Sequence, residues 1–241
     1  MLAVFTLSPT NHQNRTNMEI NTITFAWVVA LSSVLTPIKA RAAVLTFDMP
    51  VNPVVDQAYG DNITAATNGD FSYGVAQGFT PDITVAYEAG SPQLWATGYG
   101  DLKNGLTSDS SDQELLVLTF TATSGFDVRL HSFDLAATGF SSDETINSVT
   151  VFDGNNNILF SQTNPKISIS SHTSFTFGTP LTAQVLKVKI DAQNTDSDDI
   201  GIDNVTFSQI AVPEPTYVLL LASSIAFLGV THRRNLPDGK L

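Results

Sequence analysis

"DVRLHSFDLAA", residues 127–137, decides how the middle of this chain is read. Val128, Leu130, Ser132 and Asp134 fall on one side of an extended backbone, and Arg129, His131, Phe133 and Leu135 on the other. A period of two suits a strand rather than a helix. Working outward, "AVLTFD" (43–48), "ITVAYE" (83–88) and "ELLVLTFTA" (114–122) precede it. "INSVTVFD" (146–153), "NILFSQ" (157–162), "SFTFG" (174–178), "QVLKVKIDA" (184–192) and "IGIDNVTFSQI" (200–210) follow. In 184–192, Val185, Lys187 and Lys189 oppose Leu186, Val188 and Ile190, the pattern of an edge-like amphipathic strand. "FDGNNNIL" joins two strands through Asp153-Gly154-Asn155, residues that accept positive φ. No stretch of the body holds a 3.6-residue apolar period over three turns. About nine strands in roughly 170 residues, with no helices between them, predict an all-β, antiparallel β-sandwich.

Charge narrows the function. The chain of 241 residues carries 23 acids against 11 lysines and arginines. Between Ala43 and Ile210 there are 20 acids and 5 bases, a net of −15, so this body repels phosphate backbones and excludes nucleic acid as a partner. There is no cysteine, which removes disulfides, zinc–thiolate sites and cysteine nucleophiles.

The two ends read as addresses. Ile23–Leu35 is an apolar run followed by Pro37, Lys39 and "ARAA", where Ala40 and Ala42 fit the Ala-x-Ala rule of signal peptidase. That predicts a signal peptide over 1–42 with the cut after Ala42, and Met18 is an alternative start. Thr216–Val230 is 15 residues without charge, short of the roughly 20 a comfortable membrane span needs. Arg233 and Arg234 after it would stay cytoplasmic, leaving the body outside. Pro213 and Pro215 forbid helix and hold Glu214 extended and open to a peptidase.

Val212-Pro213-Glu214-Pro215, the short hydrophobic segment and Arg233-Arg234 together resemble the PEP-CTERM sorting signal of exopolysaccharide-producing bacteria. That resemblance implies recognition by an exosortase, removal of the tail, and release or transfer to the cell surface. It makes 211–241 a sorting segment, inserted in the membrane only transiently through 216–230. The "NLPDGKL" beyond the arginines departs from the family, which stops within a few residues of them. "AYGDNITA", "YGVAQGFTPDITVAY" and "YGDLKNGL" resemble a recurrent group of PEP-CTERM proteins of undefined function. The Asp-Asn pair inside the terminal strand "DDIGIDNVTFSQ" resembles the closing strand of jelly-roll modules of the galactose- and carbohydrate-binding type.

Three chemistries follow. "NTDSDDIGIDN" (194–204) gathers Asp196, Asp198, Asp199, Asp203 and Asn204, oxygen donors of the kind calcium takes, although no EF-hand order is present. Asp203 and Asn204 are consecutive, so a regular strand turns them to opposite faces. The jelly-roll resemblance implies an ion tying first strand to last, which would recruit Asp48. For a sugar, Tyr59, Tyr73, Tyr87, Trp95 and Tyr99 lie in or beside glycine-rich loops, with Trp95, Tyr87 and Tyr99 the candidates for ring stacking on exopolysaccharide. Catalysis has the thinnest support. Asp143-Glu144 and Asp198-Asp199 are adjacent and read as solvated loop charges, and His131 and His172 belong to no motif. The reading is an exported, non-catalytic surface or matrix protein, with an extracellular glycan-acting hydrolase as the alternative.

Overall fold

The computed structural model describes residues 41–48, 55–68, 71–73, 78–88, 93–95, 98–107, 115–138, 142–192 and 199–212. The signal and sorting segments thus lie outside the described residues, apart from Arg41, Ala42, Ala211 and Val212. Among the described residues there are fifteen strands: β1 (Ala43–Leu45), β2 (Thr67–Asn68), β3 (Phe71–Ser72), β4 (Ile83–Glu88), β5 (Gln93–Trp95), β6 (Gly105–Thr107), β7 (Leu115–Ala122) and β8 (Phe126–Ala137). Then come β9 (Glu144–Thr145), β10 (Ser148–Asp153), β11 (Ile158–Thr163), β12 (Lys166–Ile167), β13 (Thr173–Ala183), β14 (Val185–Asp191) and β15 (Ile200–Ala211).

Eight of them form a rolled hairpin. The first pairs with the last (β1 with β15), β7 with β14, β8 with β13, and β10 with β11, every pair antiparallel. Rolling that ribbon gives one sheet ordered β13-β8-β15-β6-β5, with β1 also on β15, and a second ordered β11-β10-β14-β7-β4. This is the jelly-roll arrangement of a β-sandwich.

Period-two patterning makes the core. In β4, Ile83, Val85 and Tyr87 are buried while Thr84, Ala86 and Glu88 are exposed. In β14, Leu186, Val188 and Ile190 point inward as the sequence predicts, but the strand is central and not an edge. The two sheets meet through pairs such as Phe120 and Phe207, whose rings lie 5.0 Å apart. One end is closed by residues 55–68 and 71–73. There Tyr59 stacks on Tyr73 at 5.3 Å, its hydroxyl accepts the Phe47 N–H and donates to the Ser72 carbonyl, and burial pushes its pKa up to about 12.

Two sequence expectations fail for identifiable reasons. β8 does not alternate throughout: Val128 and Leu130 are buried, and so are Phe133 and Leu135. The register slips against β15 beside Thr206, so an extra residue in β8 inverts the phase after His131. At the β10–β11 turn the positive φ falls on Asn156 (62°), not on Asp153, Gly154 or Asn155. Asp153 holds that turn by accepting the N–H groups of Asn155 and Asn157 at 2.8 and 2.9 Å.

Candidate functional site

The closing strand builds the site. Between Asp203 and Thr206, β15 advances three residues while β8 advances two, from Asp134 to Ser132. Asn204 takes φ 52° to absorb the extra residue, a conformation asparagine tolerates better than most. The bulge corrects the expectation that Asp203 and Asn204 face apart, for both reach Asp134. Asp203 lies directly opposite Asp134 in register, and the Asn204 side-chain amide donates to Asp134 Oδ2 at 3.0 Å. Asp134 Oδ1 accepts the Ser174 hydroxyl from β13 at 2.7 Å. The Asn204 backbone N–H donates to Asp203 Oδ1 at 2.6 Å.

Asp203 is only 4 % exposed. Burial pushes its pKa up to about 8, the Asn204 N–H opposes the rise, and the charges of Asp48 and Asp134 add to it. Asp48 arrives from the end of β1, where Asn104 donates to its carboxylate and Lys103 stands 3.8 Å away. First and last strands therefore meet at a corner whose central carboxyl is neutral at pH 7.

A loop over residues 98–104 caps this corner. Tyr99 lies flat on the outer side of the sheet, because a side chain on Gly201 would start 3.0 Å from its ring. Leu102 and Ala136 complete a small apolar cluster with it. Gly100, at φ 51°, passes so close to the Ser171 backbone that a Cβ would come within 2.5 Å of its carbonyl oxygen. Asp101 pairs with His172 at 2.9 Å. Their shared hydrogen bond lowers the Asp101 pKa and raises that of His172.

The sequence-predicted residues divide clearly. Asp48, Asp203 and Asn204 come to one corner. Asp199 sits just before β15, where its carbonyl accepts the Thr138 N–H at 2.8 Å, while Asp196 and Asp198 lie outside the described residues. Among the described residues, no three acidic or histidine side chains converge closely enough to hold one metal ion. A cation there would need further oxygens, and Asp203 is the group with most to gain, since a positive charge would offset the burial that keeps it protonated. Tyr87 and Tyr99 are buried to 5 % and 1 % exposure, which corrects the expectation of open rings for a sugar. Tyr87 donates its hydroxyl to the Tyr59 carbonyl at 2.8 Å inside the sandwich, and Tyr59 and Tyr73 are fully buried. Trp95 belongs to β5, with its backbone paired to Gly105, and its side chain lies outside the described part. Ala42 stands directly before β1, and the Val212 N–H donates to the Gly125 carbonyl at 2.9 Å. Ala40, Pro213, Glu214, Pro215, Arg233 and Arg234 lie outside the described residues.

Asp134, Ser174, Asn104 and the Asp101–His172 pair escaped the sequence reading. Only Asp134 carried a signal, its place in an alternating strand, and the bulge hid it. The others are joined across as many as 71 residues.

Asp134 and Asp203 also test the hydrolytic alternative. Residues opposite in an antiparallel pair have Cβ atoms about 5 Å apart, close to the carboxyl spacing of retaining glycosidases. A general acid must reach the glycosidic oxygen, however, and Asp203 is sealed beneath the corner.

Strand order and corner define a jelly-roll β-sandwich module whose last strand is locked to its first. No protein-family model matches the chain, and no curated protein matches it. Among solved structures it is similar to the family 32 carbohydrate-binding module of Clostridium perfringens NanJ in complex with galactose. That match has 12 % identity and a TM-score of 0.34 over 53 % of this chain and 93 % of that one. It is also similar to the xylan-binding domain CBM22-1 of Paenibacillus barcinonensis Xyn10C, at 9 % identity and TM-score 0.30 over 56 % and 89 %. A third match is the Stig cyclase Fisc of Fischerella sp. TAU, at 12 % identity and TM-score 0.36 over 71 % and 100 %. At such scores the fold assignment rests on this chain's own strand pairing, and no ligand is transferred from these proteins.

Proposed function

We propose that this chain is an exported, non-catalytic jelly-roll module of the cell surface or extracellular matrix, sorted by exosortase and engaging carbohydrate of the exopolysaccharide layer. One observation carries the reading. The sandwich begins at Ala43, the residue after the expected signal-peptidase cut, and its last strand ends at Ala211, one residue before Val212-Pro213-Glu214-Pro215. Cutting at both places would leave every strand of the body intact and remove only what lies outside it. A tail cut anywhere inside β15 would instead strip the partner of both β1 and β8.

The corner at Asp203 supports calcium as the structural ion of this module. Asp48 and Asp203 would be its donors from the first and last strands, joined by Asp196, Asp198, Asp199 and Asn204 of the acidic stretch 194–204. Bound there, the ion would supply the positive charge that lets Asp203 ionise. Asp203, which lies opposite Asp134, is buried out of a substrate's reach, which favours binding over hydrolysis at this corner. A glycan array probed with and without calcium tests this half of the proposal. Retention on at least one glycan, together with a melting temperature lowered by EDTA, is the expected result. No retention on any glycan and no response to EDTA would remove both carbohydrate and calcium from the account.

A further inference from the structure

The edges of the two sheets are not finished alike. On the free side of β4, Val85 N–H donates to Asp61 Oδ1, Tyr87 N–H to Gln57 Oε1, and the Ile83 carbonyl accepts Asn62 N–H, so that edge is covered by its own chain. β13 is broken between Thr176 and Leu181, where its register jumps, and it carries Pro180. β5 is three residues long. These are the devices by which proteins keep sheet edges from pairing with other chains: cover, bulge, proline and brevity.

β11 has almost none of them. It is six residues, Ile158–Thr163, with no proline, and no described residue bonds to its outer edge. Its one irregularity lies at the turn end, opposite Val151 and Phe152. It is also uncharged in a body that carries 20 acids and 5 bases. Ile158 and Leu159 stand 62 % and 37 % exposed on it, and Ile158 is the most exposed of the large hydrophobic side chains described.

We infer that β11 is an interaction edge and that its partner is β11 of a second copy of this chain, paired antiparallel about a twofold axis. An antiparallel pair of identical strands is self-complementary, each copy giving and receiving the same hydrogen bonds. The charge distribution leaves this edge as the place where a second copy meets least repulsion. Two bodies of net −15 repel over most of their surfaces, and an uncharged strand with apolar side chains is where they can approach most closely. The contact is small, so the pairing is reversible and depends on concentration, as suits a protein crowded in a surface layer. This inference does not depend on the glycan or the calcium ion.

The absence of cysteine makes the test clean. Ser161→Cys places one thiol on the solvent side of β11, within about 8 Å of its twofold mate in such a pair. Thr182→Cys places one on β13 as the control. The full chain carrying each is treated with a short bis-maleimide over a range of concentrations, at 0.01 and 0.1 M salt. Ser161→Cys should give a crosslinked dimer that rises with concentration and at least doubles at the higher salt, where screening shortens from about 30 to about 10 Å. Thr182→Cys should not. Adding Leu159→Lys to Ser161→Cys should abolish the dimer with an unchanged melting curve. Equal crosslinking by the control, a dimer that survives Leu159→Lys, or a monomer at every concentration would each overturn the inference. A monomer throughout is also the outcome if the chain's own residues 213–241 occupy the edge.

Discussion

Asp203→Asn should stabilise this protein, and by an amount that grows with pH. The native carboxyl has a pKa of about 8 against 3.8 for the same group in the unfolded chain. Below pH 3.8 both states hold the proton and the group contributes no difference. Between pH 3.8 and 8 the unfolded state gives it up while the native state keeps it, so stability falls by about 1.4 kcal/mol per pH unit. At pH 7 the accumulated loss is on the order of 4 kcal/mol, or roughly 10 °C in melting temperature for a domain of this size. Asparagine keeps an oxygen for the Asn204 N–H and has nothing to titrate. Urea unfolding of both proteins at pH 4, 5, 6 and 7 in EDTA should show curves that nearly coincide at pH 4 and diverge steadily above it. Parallel profiles across that range would refute the reasoning, because Asp203 would then be ionised or solvated in the native state. Millimolar calcium should narrow the gap at pH 7 if the ion binds beside this carboxylate.

Further consequences can be measured. Asp101→Asn should bring the His172 pKa down toward its ordinary value in an NMR titration, since the hydrogen bond to Asp101 is the main cause of its rise. Gly201→Ala should cost about 1–3 kcal/mol in chemical denaturation, because the added methyl meets the Tyr99 ring at 3.0 Å. Asn204→Ala should cost about 1–2 kcal/mol, from a φ of 52° on a residue with a Cβ and from the lost bond to Asp134. Asn204→Gly should recover the backbone part of that loss. Phe133→Ala should cost about 3–5 kcal/mol, for the ring is fully buried and stacks on Phe175 at 5.1 Å.

What could be read in advance follows the range of the forces. Strand identity is local, and every strand found by alternation is present, from "ITVAYE" to "IGIDNVTFSQI". Short strands such as β5 and β6 hide among glycines because two or three residues cannot display a period. Face assignment survived in β14, which is regular, and failed in β8, where one extra residue reversed every side chain beyond it. The tyrosines misled for a related reason. Glycines beside Tyr99 suggested an open loop, whereas Gly201 on a distant strand and Gly105 on the next strand along provide the flat floor on which its ring is buried. Asp48 and Asp203 were associated through the pairing of first and last strands. Asp134 showed only as a member of an alternating strand, and the Asp101–His172 pair, joined across 71 residues by tertiary closure, left no local trace.

In the proposed route to the cell surface, the folded body is cut from a segment on either side, next to its own first and last strands. Intact-mass measurement of the protein recovered from outside the cell, with and without the exosortase, tests this most directly. The account predicts a polypeptide beginning at Ala43 and ending near Pro213-Glu214-Pro215 when the enzyme is present, and a heavier one retaining 216–241 when it is absent. An extracellular protein that still carries 216–241 with the exosortase present would contradict it.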